Sequence, residues 1–315
     1  MKVLLTGASS FTGTWFAEQL IANGHQVTAA LRGSVESYSG LRARRVSRLR
    51  TSEVRLVSEC TFGSPGFISL LSEGYDVVCN HAANVENYKS PDFDVLAALR
   101  DNTFGLRDVL QKIKASGVRA LIQTGSVFEQ DEGVGTPPLR AVSPYGLSKG
   151  LTWQVFRHWA LDTDLPLHKF VIPNPFGPFE EPRFCAYLMQ KWSAKQTAVV
   201  NTPAYVRDNI HVSLLARGYA AFVAQSLEGS TWTRCSPSGY VESQGVFATR
   251  FAQEIGSRLA IEPLLTLGHQ VEFIEPFTRI NCDRLDTAAL GWNEQVAWDQ
   301  LAEYYGNMYF QSLKR

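Results

Sequence analysis

Tyr145 and Lys149 stand four residues apart, directly behind Ser143-Pro144. A serine able to cap a helix, followed by a proline suited to a first helical turn, predicts a helix starting here. On that helix Tyr145 and Lys149 share one face. A neighbouring ammonium favours phenolate over phenol and draws a tyrosine pKa down from about 10. The pair is therefore a candidate acid–base couple, with Tyr145 moving a proton to or from a substrate oxygen while a cofactor carries hydride. Tyr–Lys spacings of this kind also arise by chance on amphipathic helices, so the couple needs a cofactor site to go with it.

Thr6-Gly7-Ala8-Ser9-Ser10-Phe11-Thr12-Gly13 supplies one. It lies between an apolar strand-like run and a helix-like run, where a turn presents free N–H groups at a helix N-terminus to a pyrophosphate. Gly7 and Gly13 permit the tight turn and close helix–strand packing, and Ser9, Ser10, Phe11 and Thr12 complete the candidate cofactor loop. The next strand ends Ala30-Leu31-Arg32-Gly33, without a carboxylate. An acidic residue there accepts from a ribose 2′-OH, whereas an arginine pairs with a 2′-phosphate, so Arg32 points to NADP(H), with NAD(H) possible. Arg42, Arg44, Arg45 and Arg48 follow, and a solvated helix face accounts for them.

These groups require a scaffold of alternating strands and helices. Val3–Thr6, Gln26–Leu31, Val54–Val57, Asp76–Asn80, Ala120–Gln123 and Lys169–Ile172 read as short buried strands, with helices over 12–23, 91–115 and 144–161. The alternation predicts a doubly wound parallel sheet. Pro173, Pro175, Pro178 and Pro182 then break the pattern and mark a crossing into a second region. The expected division is a dinucleotide-binding part over residues 1–172 plus about 205–225, and a substrate-binding part over 173–204 and 226–315. Lys+Arg and Asp+Glu each total 30, and this balance argues against a nucleic-acid partner. No apolar run reaches the roughly 20 residues of a membrane span, and the start does not resemble a secretory signal. Five scattered cysteines without a CxxC pair argue against disulfides and a metal site and suit the cytoplasm.

With the glycine turn and the YxxxK pair in place, the chain resembles the extended short-chain dehydrogenases/reductases of the NAD-dependent epimerase/dehydratase type, over nearly its whole length. The turn follows their TGxxGxxG fingerprint except that Ser10 replaces the middle glycine. Its side chain would crowd the pyrophosphate or donate to it. The resemblance implies a Rossmann sheet with a smaller C-terminal substrate region. It also implies a third catalytic member, a hydroxyl after the preceding strand. In Gln123-Thr124-Gly125-Ser126-Val127-Phe128, matching Val127-Phe128 to the family's Val-Tyr selects Thr124, while another register selects Ser126. Related dehydratases carry Asp-Glu after that hydroxyl; Gly125-Ser126 stands here, which argues against dehydration.

Further matches assign supporting residues. His81-Ala82-Ala83 ends the strand bordering the cofactor ribose, and Asn102 of Asn102-Thr103-Phe104-Gly105 flanks the active site. Asn174, in Asn174-Pro175-Phe176-Gly177-Pro178, is implied to meet the substrate, although the arginine usual upstream is missing. Val206-Arg207-Asp208-Asn209-Ile210-His211-Val212 resembles the segment whose arginine, here Arg207, grips a substrate pyrophosphate, a task suited to a guanidinium fork. Ser213 takes the place of a common aspartate. Arg279 and Arg284 are both candidates for a second phosphate contact, and Leu290-Gly291-Trp292 matches a closing motif. The implied substrate is a nucleotide-linked sugar, and the implied assembly is a homodimer packed through the helices around 91–115 and 144–161. Arg32 makes NADPH-dependent reduction of a keto-sugar, at C4, the leading expectation. A nucleotide-sugar epimerase with recycled NAD(P) and a non-sugar ketoreductase are the alternatives. A cofactor-binding module without turnover would have no need of Tyr145 and Lys149.

Overall fold

The computed structural model describes residues 1–229 and 232–310. Positions 230–231 and 311–315, which fall in the expected C-terminal region, lie outside the described residues. The chain divides into two compact units. The first comprises Met1–Glu132, Pro138–Ile172 and Ala216–Ser236; the second holds Gly133–Pro137, Pro173–Leu215 and the chain from Pro237 onward.

The elements run β1 (Lys2–Thr6), α1 (Phe11–Ala22), β2 (Gln26–Ala30), α2 (Gly40–Thr51), β3 (Arg55–Val57), α3 (Pro65–Leu70) and β4 (Val77–Asn80). Then come α4 (Val95–Asn102), α5 (Leu106–Ala115), β5 (Ala120–Ser126), β6 (Val134–Gly135), α6 (Pro144–Asp162), β7 (Leu167–Ile172), β8 (Asn174–Phe176), α7 (Phe184–Ser193) and β9 (Ala198–Val200). The remainder is β10 (Val206–His211), α8 (Val212–Gln225), β11 (Arg234–Cys235), β12 (Pro237–Ser238), β13 (Tyr240–Ser243), α9 (Gln244–Leu259), β14 (Leu265–Leu267), β15 (Thr278–Ile280), β16 (Asp283–Arg284) and α10 (Glu294–Tyr309).

In the first unit seven parallel strands form one sheet in the order β11-β7-β5-β4-β1-β2-β3. Parallel strands covered on both faces read as continuous apolar runs rather than alternating ones, as Val3-Leu4-Leu5 of β1, Val77-Val78-Cys79 of β4 and Ala120-Leu121-Ile122 of β5 do. On one face Leu4, Val78 and Leu121 meet Phe67 of α3, Val109 of α5 and Phe156 of α6. Trp153 belongs to this core and Trp159 packs against it, so the aromatic residues of α6 serve the fold. On the other face Phe16 of α1 stacks on Tyr219 of α8 with ring centroids 3.9 Å apart, and Phe170 of β7 meets Tyr219 edge-on at 5.0 Å. Truncating a side chain such as Phe156 to alanine would cost about 3–5 kcal/mol.

The helix expected across 91–115 is two helices: the first closes at Thr103, and Gly105, at φ 61°, turns the chain into the start of the second. A Cβ at Gly105 would come 2.5 Å from the Gly63 carbonyl oxygen, so the break is also a backbone crossing that only glycine permits.

The second unit is built around β10, which pairs antiparallel with β13 and parallel with β15 and β8, while β15 pairs antiparallel with β6. The buried Asp208 carboxylate accepts from the N–H groups of Gly239 (2.7 Å) and Asn281 (3.2 Å), tying three segments together. Phe176, Leu188, Trp192, Phe247, Phe251 and Trp298 form its core with α7, α9 and α10. These pairings place 205–215 in the second unit. The return to the first unit therefore runs over Ala216–Ser236 rather than 205–225, and Gly133–Pro137 leaves the first.

Candidate active site

The expected cofactor loop occupies the turn from β1 to α1. Gly7 has φ 73°, and a Cβ there would lie 2.8 Å from the Ala82 nitrogen. A Cβ on Gly13 would lie 2.2 Å from the Gly7 carbonyl oxygen. The two glycines therefore let the turn close on itself and against the end of β4. Ser10 caps α1: its Oγ accepts from Gly13 N–H (3.1 Å) and donates to the Gly7 carbonyl (2.8 Å). The hydroxyl expected to meet a phosphate is thus spent inside the turn. Of the first three helical N–H groups, which have no partner within a helix, Gly13's is capped by Ser10. Those of Phe11 and Thr12 would receive a pyrophosphate oxygen. The side chains of Phe11 and Thr12 are buried and Ser9 is half-buried.

His81 follows β4, with Nε2 2.9 Å from Thr12 Oγ1 and 3.1 Å from Ser10 Oγ. Burial, and secondarily the Lys149 charge, hold its pKa down at about 3, so the imidazole is neutral and ties the turn to the strand end. Thr6 Oγ1 accepts from the N–H groups of His81 (3.1 Å) and Ala82 (3.0 Å) and donates to Asn80 Oδ1 (2.7 Å). Asn80 in turn donates to Gln123 Oε1 (2.8 Å). This polar ladder crosses β1, β4 and β5 beneath the loop and places Ala82 and Ala83. Sequence reasoning did not single it out, though a polar residue closing each of three apolar strands was its visible trace. Arg32 is exposed at the end of β2, with no carboxylate in Ala30–Gly33. Arg45 and Arg48 do not form a solvated face: Arg45 is buried near the Phe11 ring, and Arg48 pairs with Glu18 (2.9 Å).

The second half of this site hangs on α6. Ser143 Oγ accepts from Gly146 N–H (3.2 Å) and Pro144 opens the helix. A Cβ on Gly146 would lie 2.2 Å from the Phe128 carbonyl oxygen, so the first turn is pressed onto the loop after β5. The half-buried Tyr145 ring is met edge-on by Tyr88 (5.5 Å) and Phe93 (5.9 Å). Lys149 is buried one turn later and donates to the Thr124 carbonyl (2.6 Å). Burial pushes its pKa down to about 8; Glu129 raises it and Lys169 lowers it further. Asn102 accepts from Asn84 N–H (2.7 Å) and donates to Thr152 Oγ1 (3.2 Å), clamping the loop after β4 onto α6.

The two hydroxyl candidates differ in setting. Thr124 Oγ1 is out of water beside the Tyr219 hydroxyl of α8. Ser126 is half-exposed at the end of β5, its N–H donating to Glu129 Oε1 (2.7 Å) and its Oγ accepting from Phe128 N–H (3.3 Å). Behind it Lys169 Nζ donates to Glu129 Oε2 (2.6 Å) and Glu132 Oε1 (2.7 Å), and lies 4.8 Å from the centre of the Trp153 ring. This buried ionic cluster was not foreseen, although a lysine inside an apolar strand was its signal.

In the second unit Asn174 opens β8 and pairs in register with Asn209. Arg207 is nearly buried, and its guanidinium donates to the carbonyls of Val206 (2.9 Å), Pro276 (3.0 Å) and Phe277 (3.2 Å) and to Glu275 (2.8 Å). A diphosphate at Arg207 would have to share or displace Glu275, a residue sequence reasoning missed. Arg279 is buried beside it across β10–β15, whereas Arg284 is exposed on β16 in a separate two-stranded sheet. Ser213 Oγ lies 2.7 Å from His211 Nδ1 and accepts from Trp292 Nε1 (2.8 Å), so the serine joins the two later motifs. Among the described residues no cluster of three or more His, Cys, Asp or Glu suits a metal, and no helix is long and apolar enough to cross a membrane.

A Rossmann sheet with the glycine turn at the carboxyl end of β1 and Lys149 at that of β5 defines a dinucleotide-dependent enzyme scaffold. Over 98% of its length the fold matches UDP-glucose 4-epimerase of Thermotoga maritima with UDP-glucose (TM-score 0.70, 18% identity, 99% of that chain). It equally matches UDP-glucuronic acid 4-epimerase of Bacillus cereus with UDP-glucuronic acid and NAD (TM-score 0.73, 17% identity, 98% and 100% coverage). UDP-glucose 4-epimerase of Mycolicibacterium smegmatis is 25% identical over 193 residues, and this match spans 58% of either protein. Residues 3–232 match the NAD dependent epimerase/dehydratase family, and the chain belongs to that family, of the extended short-chain dehydrogenase/reductase type.

Proposed function

We propose that the protein is a nucleotide-sugar epimerase that oxidises and re-reduces one sugar carbon, with UDP-linked hexoses or hexuronates as the substrate class. The observation that carries it is the buried Lys149 ammonium at the end of β5, one helical turn beyond Tyr145. The epimerase relatives support this chemistry over the net reduction expected from sequence. A nicotinamide dinucleotide, when bound at Gly7–Gly13 and Ala82–Ala83, supplies the hydride acceptor and donor. Tyr145 Oη removes the proton from the sugar hydroxyl and returns it. Lys149 favours the phenolate form electrostatically. Ser126 Oγ, half-exposed at the strand end, donates to the reacting oxygen in preference to the enclosed Thr124. Arg207 and Asn174 take the nucleotide-linked part of the substrate, with Arg279 beside them.

NADPH-dependent reduction of a 4-keto-sugar remains the second reading, favoured by Arg32 and by the missing carboxylate after β2. Exposed Leu96, Leu147, Leu151 and Leu161 on α4 and α6 support a homodimer through those helices. Five free cysteines suit the cytoplasm.

The test is to incubate the protein with UDP-glucose or UDP-glucuronate and NAD⁺ and follow the sugar by proton NMR. In parallel, a nucleotide-linked 4-keto-sugar is mixed with NADPH or NADH and nicotinamide absorbance is followed. Interconversion without net cofactor change, reduced about 10²–10⁴-fold by Tyr145→Phe, is the expected result. Stoichiometric NADPH consumption with no interconversion would replace the epimerase by the reductase.

A further inference from the structure

The Glu129–Lys169–Glu132 cluster lies directly behind the strand end that carries Ser126 and receives Lys149. All three side chains are buried, with Glu129 and Lys169 at 0% and 2% exposure. One Glu129 oxygen accepts from Ser126 N–H and the other from Lys169. The Lys169 ammonium spends its donors on the two carboxylates and faces Trp153 of α6. Gly125 makes room for this: a Cβ there would lie 2.6 Å from Lys169 Cε and 3.0 Å from Glu129 Oε1. Arg234, 3.5 Å from Glu132, closes the outer side. Desolvating such ions is expensive, and apolar residues of similar volume commonly serve stability as well. One carboxylate of the cluster reaches the end of β5 through the Ser126 N–H.

We propose that Glu129 is a positioning residue for the reaction: it fixes the Ser126 backbone at the end of β5 and is the counter-charge faced by the buried Lys149 ammonium. The inference rests on Lys149 and Ser126 serving the proposed chemistry. The titratable groups that act on Lys149 are Glu129 from the loop after β5, Lys169 from β7 and His81 from the end of β4, with Tyr145 on its own helix. The Thr124 carbonyl accepts from it, and Glu129 Cβ lies 3.8 Å from where a Cβ on the adjacent Gly150 would stand. His81 is neutral, which leaves Glu129 to favour the ammonium and Lys169 to oppose it.

Opposite perturbations of the cluster therefore have opposite signs. Glu129→Gln removes the favourable charge and moves the Lys149 titration to lower pH by about one unit. Glu132→Gln/Lys169→Met removes one charge of each sign, leaves Glu129 in place and moves it to higher pH. Glu129→Asp keeps the charge and holds the titration close to the unaltered protein's. The readout is the Lys149 side-chain ¹⁵N shift in lysine-labelled protein, assigned with Lys149→Met, beside the pH profile of turnover. At pH 8 a one-unit fall in the midpoint lowers the Glu129→Gln rate about fivefold, with little change at pH 6. An unmoved Lys149 titration in Glu129→Gln, or shifts of the same sign in both variants, overturns the proposal. Should Glu129→Gln not fold, Glu129→Gln/Lys169→Met takes its place: its midpoint should lie below that of Glu132→Gln/Lys169→Met, which differs only in the carboxylate removed, and equal midpoints would be fatal. Absence of turnover by the unaltered protein would defeat the functional reading, while the NMR titration still judges this one.

Discussion

Glu275→Gln should tighten the binding of UDP. In the structure the Arg207 guanidinium is held at 2.8 Å by the Glu275 carboxylate, whose side chain is 52% exposed. A pair that open to water is worth only about 0.2–1 kcal/mol, despite the near-burial of Arg207. A diphosphate arriving at Arg207 must give up that amount and also tolerate the carboxylate's charge. Removing the charge while keeping the shape should therefore lower the Kd for UDP by about 1.4- to 5-fold. The gain should shrink as salt is raised, because the exposed carboxylate is screened. Arg207→Met provides the opposite sign, weakening UDP about 10- to 150-fold through loss of charged hydrogen bonds. Isothermal titration calorimetry with UDP at two ionic strengths reads both. Unchanged or weaker binding in Glu275→Gln, or indifference to Arg207→Met, would show that the diphosphate does not visit Arg207.

Three other outcomes are expected. Gly13→Ala drives a Cβ to 2.2 Å from the Gly7 carbonyl, so it should cost more than about 3 kcal/mol in thermal or chemical denaturation and abolish cofactor binding. Replacing Arg32 with aspartate should lower NADPH affinity about 10- to 100-fold and spare NADH, as measured by nicotinamide fluorescence; equal loss of both would remove Arg32 from cofactor choice. Turnover should fall as pH rises through about 8, where Lys149 loses its proton. Stability runs the other way: the folded pKa lies below the ordinary 10.5, so between these values the unfolded chain binds more protons and the Lys149 contribution rises with pH. Comparing the alkaline limb of activity with denaturant midpoints in Lys149→Met separates the two effects.

The sheet and the α6 pair were legible because their causes are local. Continuous apolar runs announce parallel strands, and Ser143-Pro144 announces a helix start. What stayed hidden depends on residues meeting across long separations. Lys169 finds Glu129 from 40 positions away, and Arg207 finds Glu275 from 68. Ser10 was visible as a departure from the glycine pattern, but its service as the α1 cap follows from backbone geometry alone. The different settings of Thr124 and Ser126, on which the proposal of Ser126 rests, were likewise hidden: Tyr219 stands beside the first and the open strand end beside the second.

The aromatic cover formed by α8 has a consequence for the nascent chain. Phe16 is made early and Phe170 much later, yet the Tyr219 and Phe222 rings that close over them belong to a segment beyond an excursion of more than 40 residues into the other unit. Between the emergence of Phe170 and that of Phe222, about 52 residues later, the rings of Phe16 and Phe170 lack the cover that α8 provides. The order of synthesis thus separates these rings from their cover, which only the return of the chain to the first unit supplies.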